Sequence, residues 1–312
     1  MGENNKNSKN EISILLITWR RPEHTIRSLY SALNANPNHI YIYNDGFCEN
    51  EKINKEIHKT RKLILDFSKI YKNIIFNFNQ NNSKGCMVGV TTAINWFFNN
   101  NEFGIIIEDD ILISDLFLKF CNHYRNLDKR INLIASCNYD TKASLTNKNH
   151  RFSKHVYIWG WACSKTVWKK YNYFISEKRI KNILKKDLNR SNEYKKYLNF
   201  IIKKCREINS GKLDTWDYQL SFLCLEENMH CLVPNVPLSE NIGFDLSATH
   251  TIGIKPSYIK QRSNTLILDD FSDYNKIDKN ADRKVEKKIY FPSIQFKIKN
   301  KLILLAKKLL LF

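Results

Sequence analysis

An α/β fold, with a mostly parallel central sheet and helices on both faces, follows from three features of the sequence. Strand-length runs that are apolar throughout recur in the first 137 residues, amphipathic stretches separate them, and the conspicuous polar groups fall just past the runs. Wholly apolar strands belong in a sheet buried on both sides. Ligands of such sheets sit beyond the carboxyl ends of the strands.

The run 12–18, ISILLIT, reads as the first strand. Pro22 then opens a helix over PEHTIRSLYSALN, with Ile26, Leu29, Tyr30 and Leu33 on one stripe. A second strand, 39–45, ends at an Asp45-Gly46 turn, and 51–70 is helical by pattern. IIFNF at 74–78 is a third strand, followed by the polar loop 79–85 and a helical stretch at 86–100. GIIIEDD at 104–110 is a buried strand that stops in three acids. A helix at 114–126 and a strand at 131–137 complete the alternation. The stretch 150–250 is richer in aromatics, holds a basic helical insert at 176–210, and reads as an extension of the same domain.

Composition excludes several classes. Of 312 residues, 43% are hydrophobic and 12% aromatic, enough apolar surface to rule out a disordered chain. Nine glycines and six prolines rule out collagen-like and low-complexity architectures. The eight cysteines are scattered without a C-x-x-C pair, as expected of reduced thiols in a cytoplasmic protein. Residues 1–10 are expected to be disordered, with no secretory signal. No apolar stretch is long enough to span a bilayer.

The formal net charge is +19. The positive charge is diffuse and no nucleic-acid-binding motif accompanies it, so nucleic acid is not the expected partner. The end of the chain, 296–312 (FKIKNKLILLAKKLLLF), mixes five lysines with leucines and isoleucines and contains no acid. As an amphipathic helix it suits an anionic membrane surface, which places the protein at the inner face of the membrane. The alternative is a terminal helix packed on its own domain.

Glu108-Asp109-Asp110 is the most telling cluster. Adjacent carboxylates repel and raise one another's pKa, and a divalent ion resolves the conflict: Mg²⁺ or Mn²⁺ takes one or two carboxylates plus phosphate oxygens. A plain helix N-terminus, where acids are also favourable, is the competing reading.

Around this cluster, four blocks stand in order over 17–251: ITWRRPEHTIRSL, the E-D-D block, YIWGWACSKTVW, and TWDYQLSFLC with PNVPLSENIGFDLSATHT. Together they resemble the nucleotide-diphospho-sugar glycosyltransferases of the GT-A fold, in the branch of the GlcNAc-transferase I type domain and its bacterial relatives. The resemblance implies a nucleotide-sugar-binding half at 11–140, an acceptor half at 141–255, and a basic extension at 256–312.

It also implies roles. Arg21 contacts the uracil or donor phosphates, a task that suits a planar donor fork. Asp45 reads the base edge, Asp109 holds the ribose or a metal-bound water, and Asp110 ligates Mn²⁺ or Mg²⁺. Asp217, beside Trp216, removes the acceptor proton in an inverting transfer, with Asp214 as the spare. His250 ligates the metal or bonds the diphosphate. Lys84, beside Gly85, meets a phosphate. Trp159, Gly160 and Trp161 offer flat faces to a sugar, although two tryptophans one residue apart could equally share a strand face in the core.

The expected function is therefore metal-dependent transfer of a sugar from a UDP-sugar to a glycan or lipid-linked acceptor. Two alternatives remain: a sugar-phosphate nucleotidyltransferase, against which the absence of glycine in ITWRRPEH counts, and a non-catalytic basic binding protein.

Overall fold

A computed structural model describes residues 11–145, 148–187, 190–244, 255–270 and 276–293. The expected disordered N-terminus, His250 and the amphipathic segment 296–312 lie outside these residues.

The first half alternates as its sequence pattern dictates. Strand β1 (Ser13–Thr18) leads to α1 (Pro22–Asn34), β2 (Ile40–Asn44) to α2 (Glu51–Ile70), and β3 (Ile74–Phe78) to α3 (Cys86–Asn100). β4 (Phe103–Glu108) follows, and after the acid turn come a three-residue strand β5 (Ile111–Ile113), α4 (Asp115–Tyr124) and β6 (Ile131–Ala135). β7 (His150–Ser153), β8 (Trp161–Ser164) and a short helix α5 (Lys165–Trp168) come next. The basic insert resolves into two helices, α6 (Glu177–Lys186) and α7 (Asn192–Asn209). α8 (Asp217–Glu226), β9 (His230–Pro234) and β10 (Ser239–Asn241) return the chain to the sheet, and α9 (Lys279–Val285) runs into a π-helical turn at Glu286–Tyr290.

The central sheet has eight strands in the order β3-β2-β1-β4-β8-β6-β9-β7. β1, β2, β3 and β4 pair in parallel, as do β6 and β9, whereas β8 and β7 run antiparallel to their neighbours. The fold is thus a Rossmann-like, mostly parallel α/β sheet in one domain. β10 pairs with β5 in a separate two-stranded ribbon beside the acid turn.

Alternate residues of β1 explain why its run is apolar throughout. Leu15 and Ile17 face a core shared with α3, β8 and α8, while Ile12, Ile14 and Leu16 face a second core shared with α1 and α4. A third cluster is built from α6, α7 and α8 around Tyr197, Ile201 and Phe222, so the basic insert buries one face on the domain. The chain after 276 packs on the β7 edge, where the buried Arg151–Asp282 ion pair (3.1 Å) joins β7 to α9.

Candidate active site

The acid turn sits where β1 and β4 end side by side, with Ile17 opposite Glu108. Helix α1 fixes the turn through two serines. Ser28 Oγ donates to the Asp109 carbonyl (2.7 Å), and Ser31 Oγ accepts from the Ile113 amide (3.2 Å). These contacts hold Asp109 and Asp110 facing Arg21, the residue just before Pro22 at the start of α1.

Arg21 bridges both acids. Its Nη2 donates to Asp109 Oδ1 and to Asp110 Oδ2 (3.0 Å), and its Nε donates to Asp109 Oδ2 (3.3 Å). Burial disfavours charge on the guanidinium, but Asp109 and Asp110 outweigh it and hold the arginine above its ordinary value. One cation does not balance three acids. Burial, reinforced by Asp110 and Asp109, pushes the Glu108 carboxyl well up, and burial raises Asp110 as well. The segment after β10 seals this edge: the Ile242 amide donates to the Asp110 carbonyl (2.9 Å), and a side chain at Gly243 would collide with the Asp110 carboxylate.

Asp45 lies at the end of β2, where its carboxylate accepts from Asn79 Nδ2 (2.9 Å) and Ser83 Oγ (2.6 Å). Arg61 of α2 organises the same corner. It donates to Asn44 Oδ1 (2.8 Å) and to the carbonyls of Asp45 (3.2 Å) and Asn79 (2.7 Å), under the rings of Phe47 and Phe78. Nothing in the spacing of 51–70 singles out Arg61, because its partners lie on other elements.

Asp217 begins α8, where an acid is favoured by the helix dipole. Its carboxylate is oriented by Thr215 Oγ1, which donates to Oδ1. The Cys86 thiol at the start of α3 is raised by burial and then by Glu108, Asp214, Asp217 and Asp45 together.

Several expected residues stand elsewhere. Asp214 accepts from the amides of Cys86 (2.6 Å) and Met87 (2.9 Å), so it caps α3 and is committed to that helix instead of serving as a spare base. Lys84 is exposed just before that N-terminus, whose amides Asp214 already satisfies. Trp161 and Trp216 do not line a sugar pocket. They are 1% and 2% exposed and stack on one another at 5.6 Å inside the core. Gly160 is structural too: it has φ +84°, and any side chain there would overlap the Ser136 hydroxyl.

Trp159 alone of that motif reaches a cleft. The cleft is small and open to solvent, and is lined by Tyr139, Trp159, Ser239, Asn241, Tyr258 and Lys260, among others.

A divalent cation suits the acid turn on charge, since burial and then the neighbouring carboxylates raise Glu108 and Asp110 despite Arg21. Among the described residues no three His, Cys, Asp or Glu side chains form a metal cage. Asp109 and Asp110 offer hard carboxylate oxygens, the donor type that divalent ions such as Mg²⁺ take alongside water and phosphate oxygens.

No family model matches the sequence, and no curated protein does. Solved structures give loose likenesses. A UDP-glucose pyrophosphorylase complexed with UDP-glucose shares 9% identity over 72% of this chain and 90% of its own, with a TM-score of 0.36. S. aureus TarS 1–349 shares 13% over 72% of this chain and 58% of its own, also at 0.36. The 4-diphosphocytidyl-2C-methyl-D-erythritol synthase of Anaerococcus prevotii shares 13% over 54% of this chain and 77% of its own, at 0.31. Likenesses of this size assign neither a reaction nor a residue.

Proposed function

We propose that the protein is a nucleotide-sugar-dependent glycosyltransferase that uses a UDP-sugar and a divalent cation. The observation that carries this reading is the Arg21-bridged Asp109–Asp110 pair at the ends of β1 and β4. Asp45 and the Arg61 corner receive the base, and Arg21 meets the donor diphosphate. Asp110, with Asp109, holds Mn²⁺ or Mg²⁺, and the resemblance adds His250 as a ligand of the metal or the diphosphate. When bound, the cation neutralises the charge that develops on the departing diphosphate.

The chain's own residues supply the rest. The acceptor hydroxyl attacks the anomeric carbon as the bond to the diphosphate breaks, and Asp217 takes the hydroxyl proton, its carboxylate aimed by Thr215. Trp159, beside the cleft, offers the acceptor a flat face. The acceptor is a glycan or lipid-linked glycan.

Calorimetric titration with UDP, with and without Mn²⁺, tests the donor site. Metal-dependent binding in the native chain that disappears in Asp110→Ala is the expected result. An absence of heat with UDP, CDP, GDP and dTDP alike would overturn the reading. Asp217→Asn should retain UDP affinity while transfer falls by about 10²–10⁴-fold, the usual contribution of a positioned base. Pyrophosphate release from UTP and a sugar 1-phosphate would instead identify a nucleotidyltransferase.

A further inference from the structure

Beside the loop that carries Asp217, two aromatic side chains stand in solvent. Tyr173 is 62% and Phe174 53% exposed, in the connection between α5 and α6. Isolated exposed apolar residues are ordinary, but an adjacent aromatic pair held outward by a rigid loop is not.

The loop is firmly built. Tyr171 stacks on Trp168 (4.4 Å between centroids, 9° between planes), and its hydroxyl donates to the Trp216 carbonyl (3.0 Å). Gln219 Nε2 donates to the carbonyls of both Tyr173 (3.3 Å) and Thr215 (3.2 Å), tying this loop to the Asp217 loop. Asn209 brackets Ile175, receiving its amide on Oδ1 (3.3 Å) and donating to its carbonyl (2.7 Å). The two rings are therefore presented at little entropic cost.

Charge on either side of the pair has one sign. Residues 169–186 contain seven Lys or Arg and one acid, Glu177. Arg206 bonds Glu177 through both oxygens (2.7 Å each), so that acid is already neutralised. Glu227 and Glu226 pair with Lys170 and Arg179. Lys169, Lys178, Lys181 and Lys185 remain exposed, the last three on one face of α6 by their spacing.

From this geometry we infer that the 169–185 rim docks the protein on an anionic phospholipid bilayer, with Tyr173 and Phe174 entering the interface and the α6 lysines lying over the headgroups. Aromatic rings suit the depth where hydrocarbon meets headgroup. Lysines beside them gain from the negative surface potential. The occupant is a flat anionic surface because the charge is spread along a helix beside a protruding pair. The inference does not depend on the expected membrane helix at 296–312 or on the transferase reading. It adds to the latter that Asp217 would open toward the lipid surface.

Vesicle co-sedimentation of the full chain tests this without any activity assay. Equimolar phosphatidylglycerol–phosphatidylcholine vesicles should bind the native protein, with affinity that falls as salt rises. Tyr173→Ser/Phe174→Ser should need about tenfold more lipid for half-maximal binding, given the apolar area withdrawn from the interface. Lys178→Gln/Lys181→Gln/Lys185→Gln should flatten the salt dependence. Both variants alter exposed side chains, so an unchanged thermal midpoint confirms that each has folded. Unchanged binding in the aromatic variant overturns the inference, as does equal binding to pure phosphatidylcholine vesicles. Tighter retention of single-stranded DNA, lost in the same variants, also overturns it.

Discussion

At Gly160 the backbone turns with φ +84°, and its missing side chain lets Ser136 Oγ lie against the 159 and 160 carbonyls (2.9 and 2.7 Å). Gly160→Ala should therefore cost about 1–3 kcal/mol, from a strained backbone and a displaced hydroxyl, read as a lower urea midpoint. The same motif shows what a sequence leaves open at this scale. It marked Trp159, Gly160 and Trp161 together, but it could not show which indole faces the cleft, because strand alternation turns only on the register that β8 adopts between β4 and β6. Asp109, Asp110 and Arg21 were legible because charges placed directly after apolar strands must meet at a sheet end. Arg61 was not, since its importance lies in carbonyls of two other loops.

Among the elements, the first-half strands and helices follow the sequence closely, since each has enough residues to show a period. β5 has three residues, too few for its sequence to show a period. β8 and β7 escaped notice as antiparallel members because their pairing is set by β4, β6 and β9, all distant in sequence. Capping carries a test at this scale. Asp214 is the side chain that receives the first amides of α3, so Asp214→Ala should lower stability by about 1 kcal/mol, measured by thermal unfolding. Transfer should fall much less than in Asp217→Asn, which separates a helix cap from a base.

For the molecule as a whole, the distal segment is what the sequence concealed most completely. Arg151 and Asp282 are both 1% exposed at the side chain and lie on opposite sides of the β7 edge. Ser153 Oγ also donates to Asp282 (2.6 Å). Asp282→Ala leaves a buried guanidinium without its partner and should cost about 3–5 kcal/mol, whereas Arg151→Met combined with Asp282→Leu should recover much of that loss. Acid sensitivity arises at the same edge. Burial lowers the pKa of His150 from 6.5 to about 4. Between those values the unfolded chain binds a proton that the folded chain refuses, so stability falls as pH drops from 6.5 toward 4. His150→Phe should flatten that slope by up to about 3 kcal/mol across the interval, followed by urea unfolding at successive pH values.

The Arg151–Asp282 pair also sets a schedule for the chain at the ribosome. Arg151 is made 131 residues before the carboxylate it needs. At a synthesis rate of about 5–20 residues per second, the β7 edge waits on the order of ten seconds with a cation it cannot bury. Until Asp282 emerges, that edge stays open to water, and the β7 side of the sheet closes only after α9 has been made.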